Sequence, residues 1–179
     1  MNSEPLALMT PRLVIRHFQD TDVPALARIL GDAQVMRYSV RGVMDERAVG
    51  EFVHNCIECY HADGFGPMAV IDSASGNLIG FCGLNAEQVD GAREVEIGYR
   101  LDTVCWGRGL ATEAVRAVLG YGFETLAIDS IIAIVQPDNV ASVKVLHKNG
   151  FRHYIHSQYH RLGVRIYRMS GAQWRERHC

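Results

Sequence analysis

The spacing of apolar residues changes several times along the chain, and each change marks an element. Arg12-Leu13-Val14-Ile15-Arg16 alternates in part and is rich in β-branched residues, which predicts a strand. Between Asp20 and Gly31, Val23, Leu26, Ala27 and Leu30 follow a helical spacing behind a capping residue. A second helix is expected from Asp45 to about Asp63, with Val49, Phe52, Val53, Ile57 and Tyr60 as its stripe. Gly64 and Gly66-Pro67 then force a turn. Met68–Asp72, Leu78–Asn85 and Arg93–Leu101 read as strands joined by turns at Ser73–Asn77 and near Asp90-Gly91, two hairpins in succession and hence an antiparallel meander. Gly109–Thr125 predicts a mostly apolar helix lying flat on the sheet. Ser130–Val135 is a buried strand, Asn139–Asn149 a helix ended by Gly150, and Phe151–Ser157 and Val164–Met169 are the closing strands. The last ten residues are polar and expected to form a loose tail. The order β-α-α-β-β-β-α-β-α-β-β predicts a single α+β domain over residues 1–179, its central sheet mostly antiparallel and flanked by about four helices.

Composition narrows the classes. A chain of 179 residues with 48% hydrophobic and 21% charged residues suits one soluble core. A net charge of −2 gives no reason to expect nucleic acid or an anionic membrane as partner. No apolar run approaches the roughly 18 residues of a membrane span, and MNSEPLALMTPRL lacks a signal-peptide pattern, so the expected location is cytoplasmic. The five cysteines are odd in number and scattered, unlike a disulfide framework. His54, Cys56, Cys59 and His61 have a suggestive spacing, but one helix cannot turn all four side chains toward one ion, and no metal is expected.

The most informative stretch is Val104-Cys105-Trp106-Gly107-Arg108-Gly109-Leu110-Ala111-Thr112-Glu113-Ala114, where a strand ends, two glycines turn the chain and an apolar helix begins. Glycines allow positive φ and close approach of backbone N–H groups to a ligand, and a helix start adds unsatisfied N–H groups and partial positive charge. Together they form an anion site suited to a pyrophosphate. A Walker loop would need a Lys and then Ser or Thr after the second Gly, where this turn has Leu110-Ala111-Thr112. A dinucleotide fingerprint would need three spaced glycines after the first strand of a parallel unit, and this turn comes late, after a meander.

Three segments in this order resemble the GNAT superfamily of acetyltransferases, and within it the branch of ribosomal-protein N-terminal (alanine/serine) acetyltransferases. They are Thr10-Pro11-Arg12-Leu13-Val14-Ile15-Arg16, then Glu96-Ile97-Gly98-Tyr99-Arg100-Leu101 with Trp106 to Ala114, and finally Asn139-Val140-Ala141-Ser142 with Asn149-Gly150-Phe151. The resemblance runs from about Thr10 to Met169. It implies that amides from about Gly107 through Arg108, Gly109, Leu110 and Ala111 to Thr112 hold the coenzyme A pyrophosphate, with Trp106 at the position usually occupied by Gln or Arg. It also implies that the strand carrying Gly98, Tyr99 and Leu101 lies beside the pantetheine arm and that Asn139 helps to hold it. A homodimer is common among such proteins.

The resemblance implies acetyl-CoA as acyl donor, no metal, and direct transfer to an amine. That chemistry needs a neutral amine, a polarised carbonyl, a protonated leaving thiolate and correct placement. Neutralising an α-amine of pKa about 7.7–8.0 at pH 7 costs only about 1 kcal/mol, against roughly 4.6 kcal/mol for a lysine. Glu94 and Glu96 share one strand face and are the candidate bases, with Glu96 the better placed. Ser142 is the candidate hydroxyl for the leaving thiolate, because the position where many relatives carry a tyrosine is Leu146. Tyr38, Tyr99, His54 and His61 are further polar candidates near the acceptor. Two other readings stay open at this level: a non-catalytic acyl-CoA sensor, and an unrelated pyrophosphate-binding enzyme.

Overall fold

The computed structural model describes residues 6–179. Eight strands form one sheet in the order β1-β2-β3-β4-β5-β6-β8-β7. The first half is β1 (Ala7–Met9), β2 (Leu13–Arg16), α1 (Val23–Leu30), α2 (Glu46–Ala62), β3 (Pro67–Asp72), β4 (Leu78–Val89) and β5 (Ala92–Leu101). The second half is α3 (Leu110–Gly120), β6 (Ser130–Val135), α4 (Val140–Lys148), β7 (Tyr154–Tyr159), β8 (Leu162–Ser170) and α5 (Gly171–His178). Every neighbouring pair is antiparallel except β5 and β6, which run parallel. This is the expected α+β architecture, with five helices.

Strand alternation divides the core into two layers. On β5, Val95, Ile97, Tyr99 and Leu101 pack toward α3, α4 and α5, together with Leu110, Val115, Leu146 and Phe151. Against the opposite face lie α1 and α2, which bury Leu26, Leu30, Val49 and Val53 over Ala69. The residues of β5 left facing that second layer are Glu94, Glu96, Gly98 and Arg100. In register they meet Glu87, Asn85, Gly83 and Phe81 of β4. Polar groups are thus set between two apolar layers.

Three readings need correction. The polar C-terminus is a helix: Ser170 Oγ accepts from the Gln173 N–H at 3.2 Å and Gln173 Oε1 accepts from the Ser170 N–H at 2.8 Å. Trp174, 3% exposed, anchors it by stacking on Phe123, and its Nε1 donates to Glu124 Oε1 at 2.8 Å. The strand expected from Phe151 begins only at Tyr154. The stripe from Gly109 to Thr125 is helical throughout but passes into a π-helical turn at Tyr121–Thr125.

Candidate active site

A gap in the sheet creates the site. Strands β5 and β6 pair only at Glu96 and Ile132, and beyond that point they part. Two adjoining cavities open there, of about 280 Å³ on the α2 side and about 140 Å³ toward α4. Glu96, Gly98, Arg100, Tyr38 and Gln136 line both. The segment between α1 and α2 roofs the gap: Tyr38 Oη donates to the Asp138 carbonyl at 3.0 Å, and Gln136 Nε2 donates to the Tyr38 carbonyl at 3.1 Å. Gly98 leaves open space where a side chain would stand.

Glu96 sits at the divide. Desolvation, and next the neighbouring Glu87 carboxylate, push its carboxyl up to about 8; Arg100 and the Ile134 backbone act in the opposite direction. Glu94 is committed elsewhere. Its carboxylate takes Arg168 at 2.6 Å and 3.0 Å, and that guanidinium holds it below the usual carboxylate range, against a smaller cost of burial. Glu87 was not anticipated from sequence. Yet it pairs in register with Glu94 across the Asp90-Gly91 hairpin, which sets it on the Glu96 face.

On the other side of β5, Tyr99 reaches the first turn of α4, where Asn139 is the N-cap and its Oδ1 accepts from the Ser142 N–H at 3.2 Å. Tyr99 Oη lies 2.6 Å from Ser142 Oγ. Burial raises the phenol pKa despite that hydrogen bond, so it stays protonated, and either hydroxyl can donate to the other. From sequence Tyr99 is a residue beside the pantetheine arm and a polar candidate near the acceptor. The structure brings it to Ser142, while Leu146 is sealed in the core.

The Trp106–Thr112 turn has the backbone geometry that an anion site requires. Gly107 and Gly109 hold φ of 73° and 75°, and the first helical backbone bond of α3 runs from the Glu113 N–H to Gly109 O at 3.1 Å. The amides ahead of it point out of the helix end without helical acceptors. Trp106 is 51% exposed, and its indole pins the turn to β5 by donating to Leu101 O at 2.9 Å. Arg12 donates to Arg108 O at 2.9 Å and pairs with Glu113 at 2.7 Å, and Thr10 Oγ1 also donates to Glu113 at 2.7 Å. From the other end of the chain, buried Asn149 donates to Thr112 O at 3.4 Å. Unsatisfied amides and two left-handed glycines fit a pyrophosphate.

The histidines do not join the site: His54 is exposed and pairs with Glu58 at 3.3 Å, and His61 is exposed on the end turns of α2. Cys56 and Cys59 line the larger cavity, and burial raises the Cys56 thiol to about 12. None of the helices among the described residues is long and apolar enough to cross a membrane.

Comparison with known proteins adds a family. Residues 12–152 match the model of the acetyltransferase (GNAT) domain. An uncharacterized protein of Bacillus subtilis, YkkB, is 34% identical over 148 residues, covering 82% of this chain and 85% of that one. An uncharacterized N-acetyltransferase of Bacillus licheniformis, p20, is 30% identical over 146 residues, covering 81% and 82%. A GNAT-family acetyltransferase of Bacillus anthracis superposes with a TM-score of 0.80 at 26% identity, over 93% of this chain and 99% of that one. The ribosomal-protein-S5-alanine acetyltransferase of Vibrio fischeri shares the fold at 16% identity with a TM-score of 0.78, covering 94% of this chain and 98% of that one.

Proposed function

Since this chain belongs to the GNAT acetyltransferase family, we propose that it moves an acetyl group from acetyl-CoA directly onto an α-amine, of a peptide N-terminus or a small molecule, held in the larger cavity. The observation that carries this reading is the Glu96 carboxyl at the point where β5 and β6 part, with the Tyr99–Ser142 hydroxyl pair across the strand. When bound, acetyl-CoA supplies an acetyl thioester, an activated carbonyl with a thiolate leaving group.

The residues divide the work. Amides from Gly107 to Thr112 hold the pyrophosphate, with Trp106 and Arg108 shaping the turn around it. Gly98, Tyr99 and Leu101 run beside the pantetheine arm, where the edge of β5 toward β6 is unpaired and its backbone can hydrogen-bond to it. Asn139 fixes the first turn of α4 and with it Ser142. Ionised Glu96 takes the proton from the amine as the C–N bond forms. The C–S bond breaks, and the departing thiolate takes a proton from Ser142 Oγ, hydrogen-bonded to Tyr99; Ser142 then recovers a proton from solvent as Glu96 releases the amine proton to solvent. A base near pKa 8 matches an α-amine near 7.7–8.0, whereas taking a proton from a lysine near 10.4 would cost about 3 kcal/mol more. This match favours the α-amine.

Thermal unfolding with acetyl-CoA, and with ATP and NAD as controls, tests the donor. Ligand at 100 times its Kd adds about 2.7 kcal/mol, roughly 5–11 °C at this size. Stabilisation by acetyl-CoA alone, followed by thiol release when N-terminal peptides or small amines are added, is the expected result. Stabilisation without turnover of any amine would instead make the protein an acyl-CoA sensor, and a shift only with a nucleotide would remove the coenzyme assignment.

A further inference from the structure

The larger cavity is lined by two guanidiniums that form no ion pair among the described residues. The charged residues lining it are Glu87, Glu96, Arg41 and Arg100. Among the described residues, neither Arg41 nor Arg100 takes part in an ion pair, and neither guanidinium donates a hydrogen bond. Arg100 projects from the floor beside Phe81, its register partner on β4, and desolvation lowers its pKa against the pull of Tyr99 and Glu96. Arg41 comes from the roof, 5.8 Å over the ring of Phe52, and its charge is felt both by Cys56 on α2 and by Tyr159 on β7. It therefore stands across the mouth. A desolvated cation is costly unless a ligand pairs with it.

The carboxylates do not cancel this charge. Glu87 is engaged by Asn85 Nδ2 at 3.3 Å and by the Tyr159 side chain. Glu96 is largely protonated at neutral pH. The cavity then holds two cations against one committed carboxylate, an environment that repels a polyamine and attracts an anion. An arginine fork suits a carboxylate in particular, because the two are planar and can pair through two parallel hydrogen bonds.

On the reading of this site as an acetyltransferase, the geometry points to an acceptor that carries a carboxylate as well as its primary amine: the amine faces Glu96 and Gly98, and the carboxylate is held between Arg100 and Arg41. Glu96 and Arg100 are four residues apart on one strand face, about 13 Å between α-carbons, a gap the two side chains shorten. A cavity of about 280 Å³ admits a free amino acid or the first residues of a peptide with an acidic side chain near its N-terminus. The shared chemistry is an amine and a carboxylate on one short skeleton.

The test is acetyl-CoA-dependent thiol release on matched acceptors. One arm compares L-phenylalanine with 2-phenylethylamine and L-leucine with 3-methylbutylamine. A second compares C-terminally amidated tripeptides with Glu or Gln at position two, and spermidine serves as the polycation. In at least one arm the carboxylate-bearing member is expected to have a kcat/KM tenfold or more above its partner and above spermidine; the arm in which this occurs identifies the source. Arg100→Gln and, separately, Arg41→Gln should raise that acceptor's KM about tenfold and erase the preference, with the KM of acetyl-CoA changed less than twofold. Both variants should unfold within a few degrees of the parent, since neither guanidinium has an ion pair or hydrogen bond to lose; Arg41 is exposed, so its variant tests the proposal even if Arg100→Gln folds poorly. Equal or better turnover of amines lacking the carboxylate, or an effect of Arg100→Gln on acetyl-CoA alone, overturns the proposal and leaves the acetyltransferase reading standing. Failure of every acceptor while acetyl-CoA still stabilises the fold overturns the proposal too, and points instead to the acyl-CoA sensor. Absence of that stabilisation overturns the underlying reading as well.

Discussion

Glu96 combines burial with the proposed role of base, and the two set separate measurable pH dependences. Its folded pKa of about 8 lies above the ordinary 4.5, so between those values the folded protein binds a proton that the unfolded chain releases. Stability therefore falls as pH rises from about 4.5 to about 8, and the full penalty persists above that range. Glu96→Gln removes the penalty. Its melting temperature should gain on the parent by several degrees between pH 5 and pH 9 in calorimetric scans. Activity runs the other way, because only ionised Glu96 accepts a proton: kcat/KM of the parent should climb toward pH 8, with burial, Glu87, Arg100 and the Ile134 backbone setting the midpoint. Glu96→Gln should lower kcat by roughly 10²–10⁴. A variant with parental kcat across pH 6–9 would remove Glu96 from the mechanism. The position of Glu96 was legible from strand alternation, but its proton affinity was not, since that depends on Glu87 and the depth of the cavity. Glu87 itself was within reach, because the Asp-Gly turn fixes the hairpin register that sets it opposite Glu94.

At the scale of elements, sequence was readable wherever the backbone demanded a particular residue. The β4–β5 turn has φ of 49° at Asp90 and 80° at Gly91, the conformation an Asp-Gly pair favours. The β7–β8 turn has φ of 47° and 66° at His160 and Arg161, with no glycine or asparagine to announce it. The end of β7 and the start of β8 were accordingly each placed two residues away from the turn. Helix α5 was missed for a related reason, since a single tryptophan carries its burial and no stripe marks the rest. The Gly107–Gly109 turn belongs to the legible class, and its proposed hold on the pyrophosphate can be tested there. Gly109 has φ of 75°, which a β-branched residue resists. A Cβ there would meet only Arg12 Nη2 at 3.6 Å, ordinary contact, so the backbone and not crowding makes the residue necessary. Gly109→Val should turn the amides away from the anion and weaken acetyl-CoA binding at least tenfold by calorimetry, with Gly109→Ala milder. Unchanged affinity in the valine variant would mean that the pyrophosphate is held elsewhere.

Across the whole molecule, segments more than a hundred residues apart converge on the first turn of α3: Thr10 and Arg12 through Glu113, and Asn149 through Thr112. Their presence in sequence was readable, but their meeting was not, because periodicity assigns a residue to a face and does not name its partner. The same holds for Tyr99 and Ser142, 43 positions apart. The opposite end of α3 is braced by α5, where Trp174 packs against Phe123 and lies 3.5 Å from the space beside Gly120. Eleven helical residues, about 16 Å, separate the two ends. Trp174→Ala should cost about 3–5 kcal/mol, a fall in melting temperature of roughly 6–20 °C. Sites this far apart without shared partners should act additively, so the stabilisation given by a fixed multiple of the acetyl-CoA Kd should be the same in variant and parent. If the increment shrinks in the variant, α3 transmits the loss to the phosphate turn, and the two ends of the helix form one cooperative unit. If it is preserved, α5 contributes to stability alone, and the coenzyme cradle is held in place by Thr10, Arg12 and Asn149.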